Sequence, residues 1–297
     1  MLEWYPSYIS ISACGTMKAF ISLDQSCYKV DSLIYYKVVM NMRIGLQLYT
    51  VRDATETDFI GTLERVAEMG YEGVEFAGYG GLTPEEMKSA LDRLGLKAAG
   101  SHVGLDQLVN NLDMHIEMNK AVGNHLINCP WIPANRYESR EALAETARLL
   151  EEASQQLAAH GMKLGYHNHD FEFTNKIDGL TVQEQLFAAL TPEQLQCELD
   201  ACWVQYSGND PIEWIGKFAG RLPIVHLKDL ARTEDGKPLT VELGKGELDL
   251  RGVAAAAKAA GTEWLIVEQD VTQRDSIVSV EASMQWVKAH IQDLLSD

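Results

Sequence analysis

The segment Lys163–Phe173, KLGYHNHDFEF, concentrates side chains that could perform metal or acid–base chemistry. It begins as a short apolar strand, along which every second side chain points the same way, so His167 and His169 are expected to face one side together. Two carboxylates, Asp170 and Glu172, follow directly. Two imidazoles and two carboxylates at a strand end are typical of a metal site or an acid–base site.

Comparable residues occur at the ends of three later apolar segments. Two imidazoles and two carboxylates form a mixed nitrogen and oxygen donor set, which suits Mn, Zn, Co or Fe better than Ca, because Ca prefers oxygen ligands alone. We therefore predict a divalent transition-metal site, with Mn favoured, whose four ligands are His167, Asp200, His226 and Glu268.

Each proposed ligand also has a purely structural interpretation. His167 and His226 could be buried histidines that hydrogen-bond within the core. Asp200 could cap the helix that follows it, and Glu268 could form a salt bridge with Lys228. The metal site is the favoured interpretation because all four residues lie at the ends of consecutive or nearly consecutive strands.

Other polar or aromatic residues near strand ends are candidates for substrate contacts. We predict this role for Gln47, Glu75, His102 and Trp203. The loop Gly244–Glu247 follows the seventh predicted strand, where many barrels bind phosphate. A single glycine pair is weak evidence for phosphate binding, so an ordinary turn is the favoured interpretation.

The elements that would position these residues alternate regularly between strand and helix. Eight strands and eight helices over about 250 residues predict a parallel sheet closed into a (β/α)₈ TIM barrel as a single domain. An open doubly wound sheet is the alternative, but no GxGxxG turn follows the first strand. The predicted strands are 43–51, 71–77, 96–103, 125–132, one that begins at Lys163, 195–203, 222–230 and 264–270.

Residues 1–41 differ from the rest of the chain, since they lack clear hydrophobic periodicity. We interpret them as an N-terminal extension that is poorly ordered, or as the result of a start codon placed too early. The barrel is predicted to span residues 42–297, and no function is assigned to the extension.

Composition limits the classes of partner. The 43 acidic and 25 basic residues give a formal net charge of −18, which disfavours nucleic-acid and anionic-membrane binding. Five scattered cysteines suggest a reducing cytoplasm, and no apolar run approaches the roughly 20 residues that span a bilayer. A small-molecule substrate is therefore expected, and a homo-oligomer is possible.

Six sequence motifs carry a resemblance to a known family. They are GLQLYTVRD at 45–53, GYEGVEF at 70–76, GYHNHDFEF at 165–173, ELDACW at 198–203, VHLKD at 225–229 and WLIVEQD at 264–270. Together they resemble the sugar phosphate isomerase/epimerase superfamily, whose members are xylose-isomerase-like barrels. The resemblance covers nearly all of the chain after residue 42, and two of the motifs, VHLKD and VEQD, are nearest to inosose dehydratases.

The resemblance implies proton abstraction next to a carbonyl of a sugar or cyclitol, through an enediolate. The superfamily's ketose 3-epimerases hold their metal with Glu, Asp, His and Glu, and His167 stands here in place of the first Glu. This departure favours His169 as the base, with Lys228 or Glu268 returning a proton or assisting a leaving hydroxyl. Isomerisation or epimerisation is the expected outcome, and inosose dehydration or cleavage of a 3-keto-glycoside is the alternative.

Two other classes fit less well. A DNA-repair enzyme like endonuclease IV would need three zinc ions and more ligands than the sequence offers, and the acidic charge disfavours DNA. A non-catalytic sugar-binding barrel would not need an intact set of metal ligands.

Overall fold

The computed structural model describes residues 28–30, 33–35 and 41–295. The chain divides into two compact units between Met40 and Asn41. In the first unit, Tyr28–Val30 pairs antiparallel with Leu33–Tyr35. The prediction made for residues 1–41 otherwise falls outside the described residues. The second unit contains the barrel.

Eight parallel strands form a closed barrel, which confirms the predicted (β/α)₈ fold. Each strand pairs with the next one along the chain, and the eighth pairs with the first, so the sheet has no free edge. In chain order the strands are β1 Arg43–Gln47, β2 Gly73–Phe76, β3 Lys97–His102, β4 Leu126–Cys129, β5 Lys163–His167, β6 Gln196–Asp200, β7 Ile224–Leu227 and β8 Trp264–Val267.

Helices connect successive strands, and their ends follow sequence capping rules. The Thr83 hydroxyl accepts a hydrogen bond from the Glu86 backbone N–H in a reciprocal capping box, and Gly95 ends that helix in the left-handed conformation. Among the described residues, no helix is long and apolar enough to cross a membrane. The α-helices are Arg52–Thr57, Phe59–Met69, Pro84–Leu94, Leu105–Asn110, Leu112–Ala121, Arg140–Ala158, Phe171–Thr174, Val182–Ala189, Ala201–Tyr206, Pro211–Lys217, Leu250–Ala260, Ser276–His290 and Gln292–Leu295.

Several strands end earlier than the sequence predicts. A 3₁₀-helix, Leu48–Val51, follows β1, and Trp203 lies in the helix after β6 rather than in the strand. After β7 the chain leaves the barrel, because Asp229–Arg232 pairs antiparallel with Pro238–Val241. The predicted strand ends at Val51, Trp203 and Leu230 were therefore wrong.

The barrel interior is apolar near the start of the strands and polar above. A small cluster of buried apolar side chains, separate from the main core between strands and helices, fills the lower part. Gly100 and Gly165 leave room for the polar layer, since a Cβ at either position would collide with the side chain of Glu75 or Asn128. The lower cluster consists of Ala99, Leu126, Ile224, Trp264 and Ile266.

Candidate active site and metal centre

The four predicted metal ligands converge at the mouth of the barrel. Each offers one ligand atom, these atoms all lie within 4.8 Å of one another, and all four residues are buried. His226 Nδ1 lies 2.8 Å from Glu268 Oε2, and His167 Nε2 lies 4.0 Å from Asp200 Oδ2. The arrangement meets the geometric requirement for a shared ion.

Asp200 both caps a helix and lies where a metal ligand is expected. Its Oδ1 accepts a hydrogen bond of 3.0 Å from the Trp203 backbone N–H and so caps the following helix. This cap fixes the carboxylate, and its buried Oδ2 accepts no hydrogen bond from the described residues. An oxygen left in this state is suited to a cation, and the nearest one is the ammonium of Lys228.

Lys228 is fully buried among carboxylates. Its Nζ lies 2.8 Å from Asp200 Oδ2, 2.8 Å from Glu268 Oε2 and 3.1 Å from Asp270 Oδ2. Burial opposes the ammonium, but Asp200, Asp270 and Glu268 outweigh it and raise the pKa of Lys228 well above its usual value. The predicted salt bridge with Glu268 is therefore present, and Lys228 supplies positive charge from behind the site.

A buried carboxylate that the sequence analysis missed, Glu198, lies directly beneath the candidate ligands. Its Oε1 is 3.0 Å from His167 Nδ1, 3.1 Å from His226 Nε2 and 2.5 Å from His102 Nε2. Glu198 precedes Asp200 by two positions in β6, so strand alternation could have revealed that both carboxylates face the interior.

Gln47 and Glu75 lie in the same buried layer, not at the surface of the cleft. Gln47 Nε2 donates to Glu75 Oε2 at 2.9 Å, and that oxygen lies 2.8 Å from His226 Nε2. Both side chains are completely buried. In this placement Glu75 contacts His226 and Gln47 contacts Glu75, whereas the predicted role of both residues was contact with substrate.

The two carboxylates below the site determine which histidine nitrogens are free for a metal. His167 Nδ1 and His226 Nε2 face the lower carboxylates, whereas His167 Nε2 and His226 Nδ1 face Asp200 and Glu268. This is the arrangement in which a buried carboxylate orients a metal-binding imidazole. The donor set and its orientation therefore fit a divalent transition metal.

A second possible ligand set uses the same two histidines. His102, His167, Glu198 and His226 also lie within 4.8 Å of one another. This lower set would use the opposite ring nitrogens of His167 and His226. Because a neutral imidazole has a single lone pair available to a metal, the two sets are alternatives for one ion.

Charges in the buried layer shift several pKa values. Burial, and then the neighbouring His226, lowers the pKa of His167 to about 3. For His226, burial is outweighed by Glu198, Glu75 and Glu268, which raise its pKa well above the usual value. Burial also opposes ionisation of Glu268, yet Lys228 and His226 hold its pKa well below the usual range. The protonation state of each of these three residues therefore depends on the charges of its neighbours.

His169 lies beside the ligand cluster with an unpaired nitrogen. Its Nδ1 is buried without a hydrogen-bond partner among the described residues, and its ring centroid lies 5.2 Å from that of His167. Burial, and then Lys228, lowers the pKa of His169 to about 3. The imidazole is therefore neutral near pH 7, although a pKa this low also makes it a weak proton acceptor.

The turn that carries His169 is anchored from below by Glu172. The His169 backbone N–H donates to Glu172 Oε2 at 2.8 Å, and the Tyr166 hydroxyl donates to Glu172 Oε1 at 2.7 Å. Glu172 is buried, which raises its pKa to about 8. Its role is to hold the turn rather than to face solvent.

A cleft of about 470 Å³ opens above this cluster. His102, His167, His169 and Glu268 line it, together with Asp270. Of the predicted substrate-binding residues, His102 thus faces the cleft. Trp203 lies behind His169, with their ring centroids 5.8 Å apart.

The glycine loop after β7 binds an internal carboxylate. The backbone N–H groups of Gly244 and Gly246 donate to Asp229 Oδ2 at 2.9 and 2.8 Å. Asp229 is almost completely buried. Because these amides are already used, the loop is an ordinary turn, as the sequence analysis favoured, and offers no phosphate-binding amides there.

Comparisons with known proteins place this fold and site in context. Residues 63–290 match the family model described as xylose isomerase-like TIM barrel. An inosose dehydratase from Geobacillus kaustophilus (strain HTA426) is 25% identical over 190 residues. That match covers 57% of this chain and 61% of the relative, so it spans less than two thirds of the relative's length.

Solved structures share the fold at lower identity. A sugar phosphate isomerase/epimerase from Parabacteroides distasonis ATCC 8503 is similar with a TM-score of 0.72 and 20% identity, covering 88% of this chain and 98% of that one. An L-ribulose 3-epimerase is similar with a TM-score of 0.64 and 14% identity, covering 85% and 95%. With the family match over most of its length, the chain belongs to the xylose isomerase-like TIM barrel family.

Proposed function

We propose that this protein is a metal-dependent isomerase or epimerase of a sugar or cyclitol, which abstracts a proton next to a carbonyl. The observation that carries the proposal is the convergence of four candidate ligands beside a neutral histidine in one cleft. Neighbouring folds named as sugar phosphate isomerase/epimerase and L-ribulose 3-epimerase support this class of reaction.

His167, Asp200, His226 and Glu268 would hold the metal, with Mn favoured. When bound, such an ion supplies Lewis-acid stabilisation of negative charge that develops on a substrate oxygen. Glu75 and Glu198 keep the ligand nitrogens of the two histidines turned toward the ion. Lys228 adds positive charge, although it is buried behind Glu268 and does not line the cleft.

His169 is the proposed base, because its neutral imidazole lines the cleft and lies next to the ligand cluster. Removal of a proton from the carbon next to the carbonyl leaves an enediolate. Return of that proton by His169 to the former carbonyl carbon, together with transfer of the hydroxyl proton to the former carbonyl oxygen, completes an isomerisation. Delivery of a proton to the opposite face completes an epimerisation. Glu268 faces the cleft as a carboxylate, so the proton would come from the Lys228 ammonium 2.8 Å away and pass through Glu268.

The proposal is tested by solvent-deuterium incorporation into ketoses, inososes and 3-keto-glycosides with Mn-loaded protein. His169→Asn is expected to lower exchange about 10²–10⁴-fold while leaving the metal content unchanged, because it removes only the base. The exposed His160 provides the matched control, and His160→Ala is expected to behave like the wild type. Full exchange by the His169 variant would eliminate the proposed base.

A dehydratase or lyase is the second candidate, supported by the similarity to inosose dehydratase. The same enediolate would then lose a β-hydroxyl or a β-glycoside instead of regaining a proton at carbon. Glu268 faces the cleft and has Lys228 at 2.8 Å, so this pair is positioned to assist a leaving oxygen. Product analysis by NMR distinguishes the outcomes, since elimination yields a dehydrated or deglycosylated product.

A further inference from the structure

The cleft is polar at its base and apolar at its rim. The rim carries three large side chains that remain exposed: Tyr49 at 44%, Trp131 at 52% and Val271 at 58%. Large exposed apolar and aromatic side chains grouped around a polar cleft are typical of ligand contacts. The proposed chemistry next to a carbonyl uses none of these three residues.

The rim is also poorly suited to a phosphate group. Among the described residues that line the cleft, Arg52 alone carries a permanent positive charge. Its Nη1 and Nη2 donate to the backbone carbonyls of Tyr49 at 2.7 Å and Asp270 at 3.0 Å, and its guanidinium stacks over the Tyr49 ring at 4.1 Å. The other charged side chains that line the cleft are the carboxylates of Glu268 and Asp270, and the Lys228 ammonium that pairs with both does not line it.

The size of the cleft permits more than one ring. Its volume of about 470 Å³ falls within the range of roughly 300–1,000 Å³ that holds drug-sized ligands. Tyr49, Trp131 and Val271 line the same cleft as the polar residues at its base. Sugar rings and planar aglycones both present apolar faces that can pack against Trp and Tyr side chains.

We propose that the substrate is an uncharged glycoside rather than a sugar phosphate. Its keto-sugar ring binds at the base of the cleft, and its aglycone or second ring packs between Tyr49, Trp131 and Val271. This inference rests on the proposed function, because it assigns the distal part of the substrate of that same site.

The test compares three probes of one keto-sugar: free 3-keto-D-glucose, its 6-phosphate and its phenyl β-glycoside. The kcat/KM for solvent-deuterium incorporation, or for product formation, is expected to be at least about tenfold higher for the glycoside than for the free sugar. The phosphate is expected to be no better than the free sugar. A higher kcat/KM for the phosphate would overturn the inference.

Variants of Trp131 test whether this side chain causes the expected preference for the glycoside. Trp131→Ala is expected to bring the ratio of glycoside to free-sugar kcat/KM down to within about threefold, whereas Trp131→Phe should retain most of it. Leu180→Ala is the control, since Leu180 is equally exposed at 52% but lies outside the cleft. A ratio that Trp131→Ala leaves unchanged would refute the proposed contact.

Calorimetric binding of the phenyl glycoside to the His169→Asn variant separates this inference from the proposed function. Binding that is tighter than for the free sugar and depends on Trp131, without any turnover by the wild type, would support the inference and reject the proposed reaction. Turnover of the free sugar without any preference for the glycoside would support the reaction and reject the inference.

Discussion

Glu198 shows how one buried carboxylate can determine the properties of the residues above it. Its Oε1 contacts both histidines of the candidate metal site on the side away from Asp200 and Glu268. Hydrogen bonds of this kind fix which ring nitrogen carries the proton and make the other nitrogen a better ligand. The negative charge is maintained because His102 and His226 outweigh burial and hold the pKa of Glu198 well below its usual value.

Substitution of Glu198 is therefore expected to weaken metal binding without removing a ligand. We predict that Glu198→Gln raises the Kd for Mn²⁺ about 10–100-fold, because the amide no longer accepts two imidazole protons equally well. Competition against a fluorescent chelator measures this Kd. Glu281→Gln, on the exposed face of the last long helix, is the control, and an unchanged Kd for the Glu198 variant would contradict the orienting role.

Residue types at strand ends predicted that the four candidate ligands lie close together, but they did not predict how deep a side chain lies in the barrel. Gln47 and Glu75 were expected to touch substrate, whereas the structure buries both beneath His226. A sequence gives the direction of a side chain along a strand but not its height in the barrel, because height depends on the stagger of the neighbouring strands. For Glu198 the sequence did contain the signal. It lies two residues before Asp200 in one strand, so side-chain alternation predicts that both carboxylates face the barrel interior.

At the scale of elements, the turn after β5 depends on a carboxyl group that is stable in its neutral form. Glu172 receives hydrogen bonds from Tyr166 and from the His169 backbone, yet burial raises its pKa from 4.5 to about 8. Between these two pH values the folded state binds a proton that the unfolded state has released. Stability must therefore fall as the pH rises through this range.

We predict that Glu172→Gln removes this pH dependence while keeping the turn. Relative to the variant, the wild type should lose up to about 4 kcal/mol of unfolding free energy between pH 4.5 and pH 8. Urea unfolding of both proteins at a series of pH values measures the difference. The exposed control Glu281→Gln should follow the wild type, and parallel curves for wild type and Glu172→Gln would contradict the assignment.

Helix caps were predictable and strand ends were not. Thr83 and Gly95 are residue types that favour the two ends of a helix, and they bound the helix Pro84–Leu94 as the capping rules require. The strands were predicted too long because apolar residues continue past the last barrel hydrogen bond into caps and turns. Trp203 is an example: it looks like a continuation of β6, but the carboxylate of Asp200 starts a helix before it.

At the scale of the whole molecule, the candidate metal site joins three adjacent pairs of strands. Its ligands come from β5, β6, β7 and β8, so an ion at this position would link half of the barrel at its mouth. Lys228 pairs with the carboxylates of both Asp200 and Glu268, and His226 also pairs with Glu268. Any ligand that binds the folded barrel and not the unfolded chain must stabilise the fold.

Metal removal is therefore expected to lower thermal stability as well as activity. At a free Mn²⁺ concentration about 100-fold above Kd the ion adds about 2.7 kcal/mol, which corresponds to a rise in Tm of roughly 5–8 °C for a domain of this size. Differential scanning calorimetry of chelator-treated and Mn-reconstituted protein measures the shift. Asp200→Asn should show little Mn-dependent shift, whereas Glu281→Gln should show the full one. An equal shift in both variants would mean that the ion binds elsewhere, because only the first loses a predicted ligand.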